Sequence, residues 1–319
     1  MSLEIINAGI MTTLQDAGRA GYRALGIPQS GAADRLSFAL ANYGIGNSWT
    51  APALEINLGG LILKARKPAR MILTGAPRTA ECNGDIIPFY KAFTLKAGEL
   101  LHVKIGPIGA RSYLAVAGGF KGNMFKGSCA TYSPATLGGL DGHPLKAGDH
   151  IDVAPHTTSA EQIISPAYRP HFGRTIVLRV QKGPEFDSHL DGETQRRLFT
   201  DMLTAGPQTN RMGAFLKSTG KTPSALTLYD MTPLTSSPLL PGTLQITSDG
   251  TAILSGIDSH CTGGYARALS VITADHWIMG QIAPGTQISF RRERTATAEA
   301  ALSLRNQIYG QLIEGFHFD

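Results

Sequence analysis

A glycine turn that leads into an alternating segment occurs three times, and it constrains the fold more than any other feature of the chain. Residues 95–98 (Leu-Lys-Ala-Gly) precede 99–103, residues 145–148 (the same four) precede 149–153, and residues 282–285 (Ile-Ala-Pro-Gly) precede 286–290. Glycine accepts the positive φ of a tight turn, and alternating apolar residues such as Ile151 and Val153 are typical of a half-buried strand. Chance similarity among glycine turns is the alternative, above all for the looser third copy. The pattern predicts a small barrel or sandwich.

The amino-acid composition supports this interpretation. Glycine supplies 37 of 319 residues, where a share of about 7% is usual. Charged residues make up 17%, against a usual value of about 25%. Many tight turns and few charged helical faces favour strands, and the length predicts two domains. We therefore expect a mainly β chain with a few helices, arranged as two β-barrel-like domains.

The predicted domain boundary lies in a stretch rich in proline, serine and threonine, residues 154–173. We expect an N-terminal β-rich domain over 1–160 and a β-barrel domain with a C-terminal helix over 171–319. Helices are predicted after Asp34, which can cap a segment ending at Gly44, and at 191–203 and 297–312. The apolar run 277–282 is predicted to be a strand.

Charge and cysteine content exclude several classes of protein. The net charge is +5, but the basic residues are scattered, so we expect no nucleic-acid partner. Three cysteines are too few and too widely spaced for a disulfide framework or a zinc site, and the histidines form no metal-ligand pair. We expect no metal bound by this chain, no signal peptide, no membrane span and a cytoplasmic location.

Three polar, glycine-rich segments are poor at filling a core and are the candidates for a functional site. They are residues 12–35 (TTLQDAGRAGYRALGIPQSGAADR), 209–213 and 254–267. The last offers a carboxylate, hydroxyls and open backbone together, which suits a small amide: donors for its carbonyl and an acceptor for its N–H. A hairpin loop held by its own Asp and Thr side chains is the alternative.

Two familiar catalytic motifs do not fit. Residues 218–222 (Ser-Thr-Gly-Lys-Thr) copy the end of a phosphate-binding loop, but Phe215 stands where that motif needs glycine, so a turn between strands is favoured. No Gly-x-Ser-x-Gly sequence is present. Ser30 lacks an assignable base, and a role in the turn before the Asp34 cap is favoured over that of a nucleophile.

These segments, with shorter motifs elsewhere, resemble the biotin-dependent carboxyltransferase family. The shorter motifs are Ala41-Asn42, Gly46-Asn47, Leu54-Glu55, Thr74-Gly75-Ala76, Gly183-Pro184, Asn210-Arg211-Met212-Gly213, Pro241-Gly242 with Gln245, and Thr262-Gly263-Gly264-Tyr265. The family includes the C subunit of bacterial 5-oxoprolinase, also known as allophanate hydrolase subunit 2 or as the antagonist of a sporulation kinase inhibitor. The resemblance covers about residues 3 to 290 and implies that the second domain is cyclophilin-like.

The resemblance also implies an activity, partners and cofactors. The 5-oxoprolinase C subunit works with a smaller homologous B subunit to activate the lactam of 5-oxoproline with ATP and Mg, and hydrolysis to glutamate is completed by a separate A subunit. One alternative is transfer of carboxyl from carboxybiotin to urea or a related amide, with biotin carried on another protein. A second is a non-catalytic regulatory subunit that binds a kinase-inhibitor-like partner.

The same resemblance assigns roles to residues. Asp258 and Thr262 are expected to orient the amide, and Arg211 to stabilise developing negative charge. The residues expected to face the substrate or phosphates are Gln15, Asp16, Arg19, Tyr22, Ser30, Asp34, Gln245, His260, Gly263, Gly264 and Tyr265. Residues 12–35 and 258–265 are thus predicted to form opposite walls of one site.

This chain departs from the family pattern at three places. Residues 127–131 are Gly-Ser-Cys-Ala-Thr where the family often has Gly-Ser-Arg-Ser-Thr, so Cys129 takes the place of an arginine. Residues 258–262 are Asp-Ser-His-Cys-Thr where Asp-x-Gln-Thr-Thr is usual, which puts His260 in place of glutamine, and Ala266 replaces a common proline. Loss of a planar arginine is not conservative. The departures favour a diverged substrate or the regulatory alternative.

Overall fold

Two compact units make up the chain in the computed structural model, which describes residues 2–156, 161–218, 226–230 and 232–318. The first unit comprises 1–19, 30–172 and 308–317, and the second comprises 20–29, 173–307 and 318–319. The expected domains were contiguous, whereas each unit includes a short segment from the other half of the sequence. Residues 12–35 in particular are divided between the two units.

Eleven strands of the first unit form two sheets. The strands are β1 (Ser2–Ala8), β2 (Met11–Gln15), β3 (Ala53–Asn57), β4 (Leu61–Ala65), β5 (Ala69–Gly75), β6 (Ala80–Cys82), β7 (Asp85–Ile86), β8 (Phe93–Leu95), β9 (Leu100–Val103), β10 (Arg111–Val116) and β11 (His150–Asp152). One sheet has the order β11-β1-β4-β9-β6-β7 and the other β2-β3-β10-β5-β8, with antiparallel pairing throughout. The barrel-like arrangement expected here is therefore a pair of sheets.

Alternation along the strands builds the core of this unit. In β4, Leu61, Leu63 and Ala65 are buried while Lys64 is exposed, as a period of two requires. All six residues of β10 are buried, because helix α1 (Arg35–Gly44) packs against β5 and β10. The predicted Asp34 cap and the helix end at Gly44 are confirmed.

The second unit is built on a closed barrel. Its strands are β12 (Thr175–Lys182), β13 (Leu203–Ala205), β14 (Gly213–Ser218), β15 (Ser237–Pro238), β16 (Thr243–Ile246), β17 (Ala252–Ser255), β18 (Thr262–Gly263), β19 (Ala266–Val271) and β20 (Gln287–Arg292). The barrel order is β12-β19-β16-β17-β14-β13-β20, and a parallel pairing of β12 with β20 closes it. Strands β15 and β18 form a separate two-stranded ribbon. The mainly β fold with a barrel in its second part is confirmed.

Four α-helices accompany these strands in the described part of the second half: α2 (Phe186–His189), α3 (Gly192–Thr200), α4 (His276–Met279) and α5 (Thr295–Leu312). The prediction of a strand at 277–282 is wrong, since residues 277–279 belong to helix α4. A short apolar run does not distinguish a strand from a buried helix. The helix predicted at 191–203 ends at Thr200, because Leu203 pairs with Ser218 in the barrel. Most of the turn predicted at 218–222 lies outside the described residues.

The three glycine turns behave as predicted. Gly98, Gly148 and Gly285 have φ values of 85°, 87° and 82°, and each precedes a strand: β9, β11 and β20. Across the described part of the chain, no helix is long and apolar enough to cross a membrane.

Candidate functional site

In the first unit, the Asp16 carboxylate is engaged on both oxygens. Oδ1 accepts hydrogen bonds from Gly18 N at 2.8 Å and Ser128 Oγ at 2.6 Å, and Oδ2 accepts from Cys129 N at 2.7 Å. The side chain is buried. Asp16 therefore fixes the loop at 128–129, and this favours a holding role over the substrate contact expected from the sequence.

Gln15 and Arg19 attach to the same loop. The Gln15 carboxamide, which is fully buried, donates to Thr13 Oγ1 at 3.0 Å and to the carbonyl of Thr131 at 3.2 Å. Arg19 is equally buried and donates to the carbonyl of Ala130. Both residues thus make contacts within the protein that stabilise the 128–131 loop.

Ser30 and Asp34 differ in their surroundings although they are close in sequence. The two Asp34 oxygens accept from Ser37 N at 2.9 Å and Ser37 Oγ at 2.6 Å, so this residue is an N-cap. Ser30 has a φ of 55° and is 2% exposed, and its Oγ has no hydrogen-bond partner in the described residues. A serine in this left-handed conformation is uncommon. The geometry supports the view that Ser30 has no base beside it.

In the second unit, Arg211 and Asp258 form a buried bidentate ion pair. Arg211 Nε donates to Oδ2 of Asp258 at 2.6 Å, and Nη2 donates to Oδ1 at 3.1 Å. Each side chain is 6% exposed. With two N–H groups committed to Asp258, Arg211 is suited to orient that carboxylate, rather than to stabilise a substrate charge directly as expected.

The backbone packs closely around this ion pair, which explains why residue 256 is a glycine. Asp258 N donates to the carbonyl of Arg211 at 3.0 Å, and Gly256 N donates to the carbonyl of Met212 at 2.8 Å. A Cβ on Gly256 would lie 2.3 Å from the Arg211 carbonyl oxygen. The loops that follow β13 and β17 pack so closely here that a side chain at 256 has no room.

The other predicted residues of the second unit cluster on and beside the β15–β18 ribbon. His260 and Thr262 are exposed, Gly263 and Gly264 are half-buried, and Tyr265 is 49% exposed. Gln245, on β16, is buried, and its Nε2 lies 2.8 Å from where a Cβ on Gly263 would be. The glycine therefore leaves room for this carboxamide.

Arg23 is a member of this cluster that we did not predict. It lies beside Tyr22, and its Nη2 donates to the carbonyls of Leu239 at 2.5 Å and His260 at 3.1 Å. Arg23 thus contacts residue 260 of the second segment, while the opposite walls of one site formed by residues 12–35 and 258–265 stay a prediction. Gly21 and Gly26, which flank Arg23, were the sequence signal that could have identified it.

An ion pair holds the ribbon in place. Arg267 donates from Nε and Nη2 to the two Glu185 oxygens at 2.8 and 2.7 Å, and from Nη1 to the carbonyl of Pro238 at 3.1 Å. The hydrogen bonds from Arg267 lower the pKa of Glu185, although partial burial opposes this change. The pair therefore ties β15 to the barrel strand β19.

Comparison with known proteins adds the family. The carboxyltransferase domain, subdomains A and B, matches residues 25–292 of the chain. The chain belongs to the carboxyltransferase domain family. Its sequence is 34% identical to the C subunit of 5-oxoprolinase from Escherichia coli over 315 residues, 99% of each chain, and 30% identical to that of Haemophilus influenzae over 96% of each.

A solved structure shares the fold of this chain. Urea amidolyase of K. lactis superposes with a TM-score of 0.88 at 25% identity and matches the whole of this chain. The chain spans 20% of that much longer protein.

Cys129 is a core residue of the chain. It is completely buried, and burial raises the pKa of its thiol, as does the neighbouring Asp16 carboxylate. The position therefore does not present a side chain to a ligand, whether or not relatives have arginine there.

Proposed function

We propose that the chain is the C subunit of an ATP-dependent 5-oxoprolinase, which acts with a homologous B subunit to activate the lactam of 5-oxoproline for hydrolysis to glutamate. The observation that carries the proposal is the 34% identity, across 99% of both chains, to the C subunit of the Escherichia coli 5-oxoprolinase. Asp258 is a buried carboxylate four residues before the exposed Thr262 in the same loop, and such a pair is chemically suited to a cyclic amide.

Asp258 is the proposed acceptor for the lactam N–H. Each of its oxygens accepts one hydrogen bond from Arg211, and a carboxylate oxygen has a second lone pair to offer. Arg211 holds the carboxylate in one orientation. The Thr262 hydroxyl and the open backbone of Gly263 and Gly264 are the proposed donors to the lactam carbonyl, on which negative charge develops during activation.

ATP and its magnesium belong to the proposed complex. Among the described residues, no three His, Cys, Asp or Glu side chains form a group able to hold a metal ion. We propose that magnesium is held by the nucleotide phosphates in the assembled complex, and the roles given above do not depend on it. The proposed partners are the homologous B and the separate A subunits, in the cytoplasm, where the free thiols of Cys82, Cys129 and Cys261 are stable.

The test is ATP hydrolysis by the chain purified together with the product of its partner gene. We expect 5-oxoproline to increase the rate, and Asp258→Asn to abolish the increase. Asp187→Asn, which removes a carboxylate that is 70% exposed, is the matched control and should keep full activity. ATP turnover that 5-oxoproline does not raise, and that Asp258→Asn does not change, would refute the proposal.

Carboxyl transfer from carboxybiotin to urea or a related amide is the second candidate. The superposition on urea amidolyase over the whole chain favours it. A biotinylated carrier would then bind the complex and support urea-dependent turnover, while 5-oxoproline would have no effect. Binding of a partner without turnover of either substrate would favour the regulatory alternative.

A further inference from the structure

Arg23 is held in place by uncharged main-chain groups, which do not neutralise its positive charge. Its Nη2 donates to two main-chain carbonyls, those of Leu239 and His260. In the ranges that the structure describes, no carboxylate lies within ion-pair distance of Arg23, and its buried Nη1 has no hydrogen-bond partner. A guanidinium fixed by carbonyls retains its full charge for an anion.

Two further polar groups in the same unit are buried without partners. Gln245 is 5% exposed and Ser259 is 3% exposed, and neither Gln245 Nε2 nor Ser259 Oγ has a hydrogen-bond partner among the described residues. More than nine in ten buried polar groups are satisfied in folded proteins, so such exceptions indicate a bound water or ligand.

These groups lie in one neighbourhood. Leu239, whose carbonyl binds Arg23, also places its Cδ2 3.5 Å from the position of a Cβ on Gly263, and Gln245 Nε2 is 2.8 Å from that same position. Ser259 directly precedes His260, the second carbonyl partner of Arg23. The three unpartnered groups therefore belong to side chains on or against the segments that meet at the β15–β18 ribbon, where a cation, an amide N–H and a hydroxyl are available to a small ligand.

This donor set matches the chemistry of a carboxylate. The guanidinium supplies charge and the carboxamide a neutral N–H, while a carboxylate is an acceptor on both oxygens. Urea has no carboxylate, whereas 5-oxoproline has one beside its lactam. A cation without a carboxylate partner would offer urea little advantage.

We infer that Arg23, assisted by Gln245, binds the carboxylate of the substrate and so selects a carboxylated lactam over an amide such as urea. The inference rests on the proposed function and names a specificity-determining residue for it. Asp258 and Thr262 then bind the amide, and Arg23 binds the acid.

The experiment compares two ligands with the ATP-hydrolysing complex of this chain and its partner. The KM for 5-oxoproline is measured together with the inhibition constant of 2-pyrrolidinone, the same ring without the carboxylate. For Arg23→Gln we expect the KM to rise about 10- to 150-fold, the value of a charged hydrogen bond. The inhibition constant of 2-pyrrolidinone should stay within about twofold, since that ligand makes no use of the charge.

Two further variants complete the design. Arg23→Lys retains the charge and should recover part of the affinity for 5-oxoproline. Arg292→Gln removes an exposed arginine of the same unit and should leave both constants unchanged. Equal weakening of both ligands by Arg23→Gln would show a structural role only, and an unchanged KM would show that these donors hold water; either result overturns the inference. If the unmodified complex shows no response to 5-oxoproline, the proposed function fails first, and the inference with it.

Discussion

The Arg211–Asp258 pair gives the sharpest prediction about stability. Arg211→Met would leave the Asp258 carboxylate buried, with 6% of its side chain exposed, and without its two charge-assisted hydrogen bonds at 2.6 and 3.1 Å. Breaking a buried ion pair by removing one partner costs about 3–5 kcal/mol. For a unit of this size that corresponds to a fall in Tm of about 6–20 °C.

The assay is calorimetry of the full-length chain, following the transition of the barrel unit. The double variant Arg211→Met/Asp258→Leu should regain most of the loss, because replacing both charges removes the unpaired carboxylate. Arg196→Met is the control: its partner Glu193 is 61% exposed, and an ion pair so open to solvent contributes little to stability. If Arg211→Met lowers the Tm no more than this control, or if the double variant is no more stable than the single one, the pair does not organise the loops.

Three smaller predictions concern other parts of the chain. Asp34→Ala removes the helix cap and should lower the free energy of unfolding of the first unit by about 1–2 kcal/mol, measured by urea denaturation; no change would contradict the cap. Burial raises the pKa of the Cys129 thiol, so iodoacetamide at pH 8 should label the half-buried Cys261 first, as mass spectrometry would show; equal labelling contradicts this. Hydrogen bonds from Arg267 lower the folded-state pKa of Glu185, so the stabilisation by this ion pair is complete above the unfolded pKa near 4.5 and is lost as the pH falls below that value. Glu185→Gln should therefore flatten the acid side of a plot of unfolding free energy against pH. An unchanged plot would refute the coupling.

The sequence predicted the strands well because their signals are local. A glycine at positive φ and a period of two act within ten residues, which is why β9, β11 and β20 were found. The run 277–282 failed for the opposite reason: its apolar residues are buried in either conformation, and only packing decides between them. The division of residues 12–35 between two units depends on contacts over 200 residues away, such as that of Arg23 with Leu239, and no local pattern encodes it.

The candidate site, too, could be predicted from the sequence only in part. The segments were identified from their polar, glycine-rich composition, but composition does not show which side chains hold the backbone and which remain available. Asp16 and Asp258 look alike in the sequence, yet Asp16 accepts two main-chain N–H bonds and one from a serine, whereas Asp258 is bound by an arginine side chain. Only the structure distinguishes them.

That distinction has a consequence for how specificity can change within this fold. Arg211 and Asp258 are fixed by each other and by a backbone so close that Gly256 has no room for a side chain, so substitutions there disturb the barrel loops themselves. Arg23 is fixed through only one of its terminal nitrogens, by carbonyl groups that any donor of suitable length could reach. Replacing Arg23 should therefore alter which amide is accepted at little cost to the barrel, whereas replacing Arg211 should weaken the barrel for every substrate. We expect the calorimetric Tm of Arg23→Gln to stay within about 2 °C of the unmodified chain, because Arg23 is half-buried and lies outside the hydrophobic core. A loss as large as that of Arg211→Met would place Arg23 among the residues that hold the fold.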